Sequence, residues 1–116
     1  MKVTSTHQRN TLILTPKGRI DHAAAEAFSV ALTPYLADCQ SGGNLLILDF
    51  SEVEYVSSVG LRALMLAARQ VKTQGGKIAI AAPTPLVGEV FEVCRFNLVL
   101  SLFDSVDAAL ANFAVE

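Results

Sequence analysis

The chain has little of what redox, metal or nucleic-acid chemistry needs. Its two cysteines, Cys39 and Cys94, show no C-x-x-C spacing, and its two histidines, His7 and His22, are not paired at helical spacing. This argues against a zinc site and a disulfide framework, so no metal or cofactor is expected and a reducing cytoplasm is the expected compartment. No Lys/Arg cluster occurs and the formal net charge is -2. Nucleic acid and anionic membrane are poor partners for such a chain. The N-terminal M-K-V-T-S-T-H-Q-R-N has no apolar core of signal-peptide length. No apolar run approaches the roughly 20 residues that span a bilayer. A soluble intracellular protein is expected.

Catalytic signatures are also missing. There is no G-x-S-x-G elbow, and neither histidine is evidently placed to activate a serine. The pairs Gly42-Gly43 and Gly75-Gly76 belong to no phosphate-binding or dinucleotide-binding motif and serve as helix stops. The chain is therefore not expected to be an enzyme.

What is present is apolar and regularly punctuated. Hydrophobic residues make up 52% and charged residues 17% of 116 residues, which excludes disorder and fits one domain with a sizeable core. Lys2 to His7 and Thr11 to Pro16 form a hairpin around Gln8-Arg9-Asn10, with Pro16 expected to end the second strand. Asp21 is placed to cap a helix from His22 to Asp38, whose inward face would be Phe28, Ala31, Leu32 and Tyr35. Pro34 should kink or divide that helix.

Asn44 to Phe50 contains the non-alternating run Leu45-Leu46-Ile47-Leu48, expected of a central strand buried on both faces. Ser57 to Thr73 is a second helix with Leu61, Leu64, Met65 and Ala68 inward. Lys77 to Ala82 is a strand, and Thr84-Pro85 starts a third helix, in which Val87, Val90, Phe91 and Cys94 have one-face spacing. That spacing makes Cys94 a core residue. Leu98 to Leu102 is a short edge strand, and Asp104 or Ser105 caps a last helix carrying Val106, Ala109, Leu110 and Phe113 on one face. The result is an α/β fold: a mixed sheet of four to five strands with about four α-helices. Gly18 to Asp21, Asp49 to Ser58 and Ala82 to Pro85 should gather at one end, where strand C-termini meet helix N-termini.

The residues with most functional interest lie at that end. Ser57 and Ser58 open the second helix, and by spacing alone either is a capping hydroxyl that satisfies an orphan N–H. A serine there can also accept a phosphate, which adds about -1.5 to -2 charges at the positive end of a helix. Asp49 ends a central strand, where response-regulator receivers keep their acceptor. His7-Gln8-Arg9 and Leu102-Phe103-Asp104 do not supply the acidic pair and lysine that a receiver also needs. Asp49 is instead expected to organise its loop.

Three motifs in this order carry a resemblance: G-R-I-D at Gly18 to Asp21, L-D-F-S at Leu48 to Ser51, and Y-V-S-S-V-G-L-R at Tyr55 to Arg62. Together with F-D-S-V-D-A-A-L-A at Phe103 to Ala111, they resemble the STAS domain of bacterial anti-sigma factor antagonists over nearly the whole chain. The resemblance implies that residues 1–116 form one such domain. It implies an unphosphorylated form that binds an anti-sigma factor serine kinase and so frees a sigma factor. Phosphorylation by that kinase would switch it off, and a PP2C-type phosphatase would reverse the change.

Matched through Gly60 and Leu61, the acceptor falls on Ser58, with Ser57 as second choice because it stands where relatives often have Asp. Asp21, Ser57, Ser58, Val59, Gly60 and Arg62 would form the partner-binding surface. Relatives commonly have a glycine where this chain has Arg95, and Asn97 is expected to supply the left-handed turn instead. An alternative within the same family is an adaptor subunit, of a lipid-transport ABC system or a stress-signalling assembly, without phospho-switching.

Overall fold

The computed structural model describes residues 2–114. Strands β1 (Lys2–Gln8) and β2 (Thr11–Ile20) form the antiparallel hairpin, with Lys2 opposite Lys17 and Gln8 opposite Thr11. There follow α1 (Ala25–Asp38), β3 (Leu45–Asp49), β4 (Val53–Val56), α2 (Ser58–Thr73), β5 (Ile78–Ala81) and α3 (Pro85–Val93). A single 3-10 turn (Phe96–Leu98), β6 (Ser101–Phe103) and α4 (Val106–Ala114) complete the order. The sheet runs β1-β2-β3-β5-β6, with β4 also paired to β2. All pairs except the first hairpin are parallel.

The α/β class, the mixed sheet and the four helices are as expected; the sheet has six strands. The added strand is V-E-Y-V, in which Val53 and Val56 are buried and Glu54 is exposed. It occupies ground that Pro16 was expected to leave empty. β2 runs on past Pro16, pairing with β3 over Thr11–Leu14 and with β4 from Gly18 to Ile20. Pro16 lies in the gap between these two partners, where no ladder bond needs its missing N–H. Gly18, at φ 97, donates its N–H to the Glu52 carbonyl and opens the second pairing.

The apolar run of β3 is buried on both faces. Leu46 and Leu48 join Leu12, Leu14 and Ile80 under α1, α2 and α3, while Ile47 joins Ile13, Ala79 and Ala81 under α4. On the first face Phe91 lies between Phe50 and Phe96, with ring centroids 5.9 Å and 5.2 Å away. α1 buries Phe28, Leu32 and Leu36, and Tyr35 is only half-buried. Pro34 does not divide α1. Val30, whose carbonyl loses its partner, and Pro34 both lie on the exposed side, where water can take the bond.

Other local expectations shift by a few residues. Continuous α1 starts at Ala25 rather than His22, after a turn over residues 22–24. Asp21 caps that turn, accepting the Ala24 N–H on Oδ1 at 2.9 Å. Ser105 rather than Asp104 caps the last helix, accepting from the Ala108 N–H at 3.0 Å. The Leu98–Leu102 segment is not one strand: Leu98 ends the 3-10 turn, residues 99 and 100 form a turn and bend, and β6 begins only at Ser101.

Cys94 is exposed, because α3 ends at Val93 and the period that placed it inward stops there. Asn97 is not the left-handed residue: it lies in the 3-10 turn, and Arg95 itself takes φ 54, ψ 39. A chain reversal is needed at position 95 to lay Phe96 on Phe91, and Arg95 adopts the conformation that its Cβ disfavours.

Two outcomes follow. Arg95→Gly removes a left-handed penalty of roughly 1–2 kcal/mol, partly offset by the freedom glycine gains when unfolded, so urea denaturation should show a gain of about 0.5–1 kcal/mol. In a thiol titration Cys94 should react in the folded protein, and Cys39 only on unfolding. Cys39 is fully buried, its Sγ donates to the Lys77 carbonyl at 3.2 Å, and burial pushes its thiol pKa up.

Candidate functional site

The three segments expected to gather do so through two backbone hydrogen bonds and one from a side-chain hydroxyl. The Phe50 N–H donates to Ala81 O, the Ser57 N–H donates to Ile20 O at 2.8 Å, and the Thr84 hydroxyl donates to Val53 O at 3.3 Å. The ends of β2, β3, β4 and β5 thus form one platform from which α2 and α3 begin. Asp49 organises its loop as expected, its Oδ1 accepting the Ser51 N–H at 3.0 Å. Asp21 follows directly on Ile20 and so belongs to this end.

The two serines that spacing left equivalent have different environments. Ser57 is half-buried in extended backbone (φ -81, ψ 171), and its Oγ accepts the Gly60 N–H at 3.1 Å. Its carbonyl accepts the Leu61 N–H at 2.9 Å. Ser57 is therefore the cap. Ser58 is the first helical residue; it is exposed, and its hydroxyl makes no hydrogen bond among the described residues. The Ser58 and Val59 N–H groups have no protein acceptor among the described residues, so the free hydroxyl stands beside orphan donors at the positive end of α2.

Gly60 fixes how close this helix start comes to the sheet. A Cβ there would stand 2.8 Å from Ile20 Cγ2, 3.0 Å from the Ile20 carbonyl oxygen and 3.0 Å from Val56 Cγ1. Any side chain would push the start of α2 off the platform. Val59 is 37% exposed, and Arg62, one turn on, is exposed. Arg19, also exposed, covers the Tyr55 ring at 4.6 Å, at the register where β2 meets β4.

One part of the site was missed from the sequence. α2 buries Gly60, Leu64, Ala67, Ala68 and Val71, so the inward stripe is rotated from the expected one. Leu61 and Met65 are left half-exposed. With Ser58 and Arg62 on one side and Cys94, Phe96 and Val99 on the other, they line a largely apolar groove of about 370 Å³. The signal was in F-N-L-V-L, which has more apolar residues than a three-residue edge strand can bury. Among the described residues, no cluster of three or more His, Cys, Asp or Glu could hold a metal ion, and no helix is long and apolar enough to cross a membrane.

A small α/β module that presents a free serine at a helix start is the class defined by this fold and end. The profile of the STAS domain family matches residues 2–109. The chain belongs to the STAS domain family. It is 32% identical over 113 residues to BtrV of Bordetella bronchiseptica, named as an anti-sigma factor antagonist, covering 97% of this chain and 95% of that one. Its fold is similar to that of an anti-sigma factor antagonist from Mycobacterium paratuberculosis, with a TM-score of 0.84, 22% identity and coverage of 96% and 92%. It is also similar to the unphosphorylated anti-sigma factor antagonist SpoIIAA, with a TM-score of 0.74, 17% identity and coverage of 99% and 98%. SpoIIAA, a Bacillus cell fate determinant, is known in a phosphorylated form as well.

The serine and glycine environments separate three substitutions. Ser57→Ala should cost about 1 kcal/mol through the lost cap, and Ser58→Ala should stay within about 0.5 kcal/mol of the parent. Gly60→Ala should destabilise by about 1–3 kcal/mol despite alanine's better helix propensity, because of overpacking against Ile20. Urea denaturation of the three variants reads all of these.

Proposed function

We propose that this protein is a cytoplasmic anti-sigma factor antagonist. Its unphosphorylated form binds an anti-sigma factor serine kinase and releases a sigma factor, and phosphorylation at Ser58 switches it off. The observation that carries this reading is the division of labour between the two serines. Ser57 is engaged as the cap, so Ser58 is free to accept a phosphate without loss of the helix start. The similarity to BtrV over nearly its whole length supports the antagonist role, and the two forms of SpoIIAA support a module that holds its fold with and without a phosphate.

The partner surface is the exposed end made by Asp21, Ser57, Ser58, Val59, Gly60 and Arg62, together with the groove beside it. Gly60 contributes by its lack of a side chain, since a Cβ there would meet Ile20. A phosphate brings about -1.5 to -2 charges to the mouth of an apolar groove. A partner that fills this groove would have to desolvate that charge, so binding is lost without any change of fold. A PP2C-type phosphatase restores the binding form.

The test is incubation with the cognate anti-sigma factor kinase and ATP, followed by mass spectrometry. One phosphate on Ser58 and none on Ser58→Ala is expected, and label that persists on Ser58→Ala would sink the assignment. Ser58→Asp should bind the kinase at least about tenfold more weakly, equivalent to about 1.4 kcal/mol.

A further inference from the structure

Charge is unevenly distributed along this chain. No Asp or Glu occurs between Glu54 and Glu89, and the interval carries Arg62, Arg69, Lys72 and Lys77. α2 lies inside that interval and is wholly basic, in a chain whose formal net charge is -2. Solvated helix faces commonly interleave both signs at i, i+4 spacing, and α2 does not.

Val59, Arg62, Leu66 and Arg69 succeed one another at three- and four-residue steps, so they form one stripe along the outer face of α2. All four are exposed, Leu66 at 48%, and neither arginine has an ion-pair partner among the described residues. The stripe borders the groove lined by Leu61, Met65, Phe96 and Val99. Basic and apolar side chains alternate on a helix whose flank is an open apolar cleft. The complement of that pattern is an acidic amphipathic segment.

We propose that the Val59–Arg69 face of α2, with the adjoining groove, docks an acidic amphipathic helix of the partner protein. Apolar side chains of that helix lie on Leu66 and in the groove, and its carboxylates meet Arg62 and Arg69. The proposal rests on the reading of this end as the partner surface and extends it along the helix. Arg69 is 11 residues beyond Ser58, or about 16 Å along the axis at 1.5 Å per residue. That exceeds the Debye length of about 10 Å at 0.1 M salt. An effect at Arg69 therefore reports docking on the helix face and not the acceptor.

The experiment measures the affinity of the full chain for the kinase that phosphorylates Ser58, by calorimetry at about 0.1 M salt and at higher salt, where the Debye length stays below the separation of Ser58 and Arg69. Arg69→Glu should weaken binding about tenfold or more, Arg69→Lys should retain most of it, and the loss should shrink as salt rises. If Ser58 is phosphorylated while Arg69→Glu and Leu66→Ser both bind within about twofold of the parent, this inference fails and the acceptor assignment stands. If no kinase modifies Ser58, a synthetic Glu/Leu amphipathic helix titrated into the isotope-labelled protein is the probe. Amide shifts confined to Val59–Arg69 and Phe96–Val99, absent with the Lys/Leu counterpart, support the docking face without the acceptor. Equal shifts from both peptides overturn it. Binding to phosphatidylglycerol vesicles or self-association, either one abolished by Arg69→Glu, would assign the face to lipid or to a second copy and overturn it as well.

Discussion

The contact on which the functional end depends is the approach of Gly60 to Ile20. Because position 60 has no Cβ, the first turn of α2 lies against the last residue of β2, and the Ser57 N–H reaches the Ile20 carbonyl. That pin fixes where the helix begins, and the Ser57 hydroxyl closes its first turn from within. The exposure of Ser58 follows from these two facts. Moving the helix outward or transferring the cap to Ser58 would remove the free hydroxyl from the orphan N–H groups.

The pin in turn needs β2 to be long. A strand that stopped at Pro16 would leave Ile20 in a loop, and nothing would hold Val56 and Ser57 beside it. β2 avoids this by changing partners, from β3 before the proline to β4 after it. Gly18 at positive φ and Pro16 without an N–H are both unfavourable in an uninterrupted ladder. Pro16 sits in the break between the two pairings, where no bond to β3 or β4 needs its N–H, and Gly18 sits at the far side of that break, where its N–H bonds the Glu52 carbonyl. The platform for α2 is thus made from residues whose local tendencies alone point to a loop.

Around that platform the surface is divided by chemistry. Leu64, Ala67, Ala68 and Val71 bind α2 to the core, which leaves Leu61 and Met65 at the margin. Arg95, held in the left-handed region, turns the chain so that Phe96 packs inward on Phe91 and Val99 closes the far wall of the groove. The groove and the helix start come from chain segments about 35 residues apart, joined by the same sheet that sets the helix angle.

Much of this was legible in the residues themselves. Alternating strands and helices, the glycine stops, the Thr84-Pro85 start and the doubly buried run of β3 follow from periodicity and capping, which act within a few residues. The Tyr55–Arg62 motif pointed to the end of β4 and the start of α2, where the structure has Ser57 as the cap and Ser58 exposed. Spacing could not choose between Ser57 and Ser58, because either can cap a helix; the choice was made by where Ile20 sits. It could not find β4, because V-E-Y-V becomes a strand only when β2 presents an edge to it. It placed Cys94 inward because it cannot know that α3 stops at Val93, and it left the groove unseen because its walls meet only in three dimensions. Local order, and with it the outline of the fold, was set by the sequence through short-range hydrogen bonding and hydrophobic period. Which serine is free, and what lies beside it, was decided by tertiary packing, because exposure depends on neighbours far along the chain.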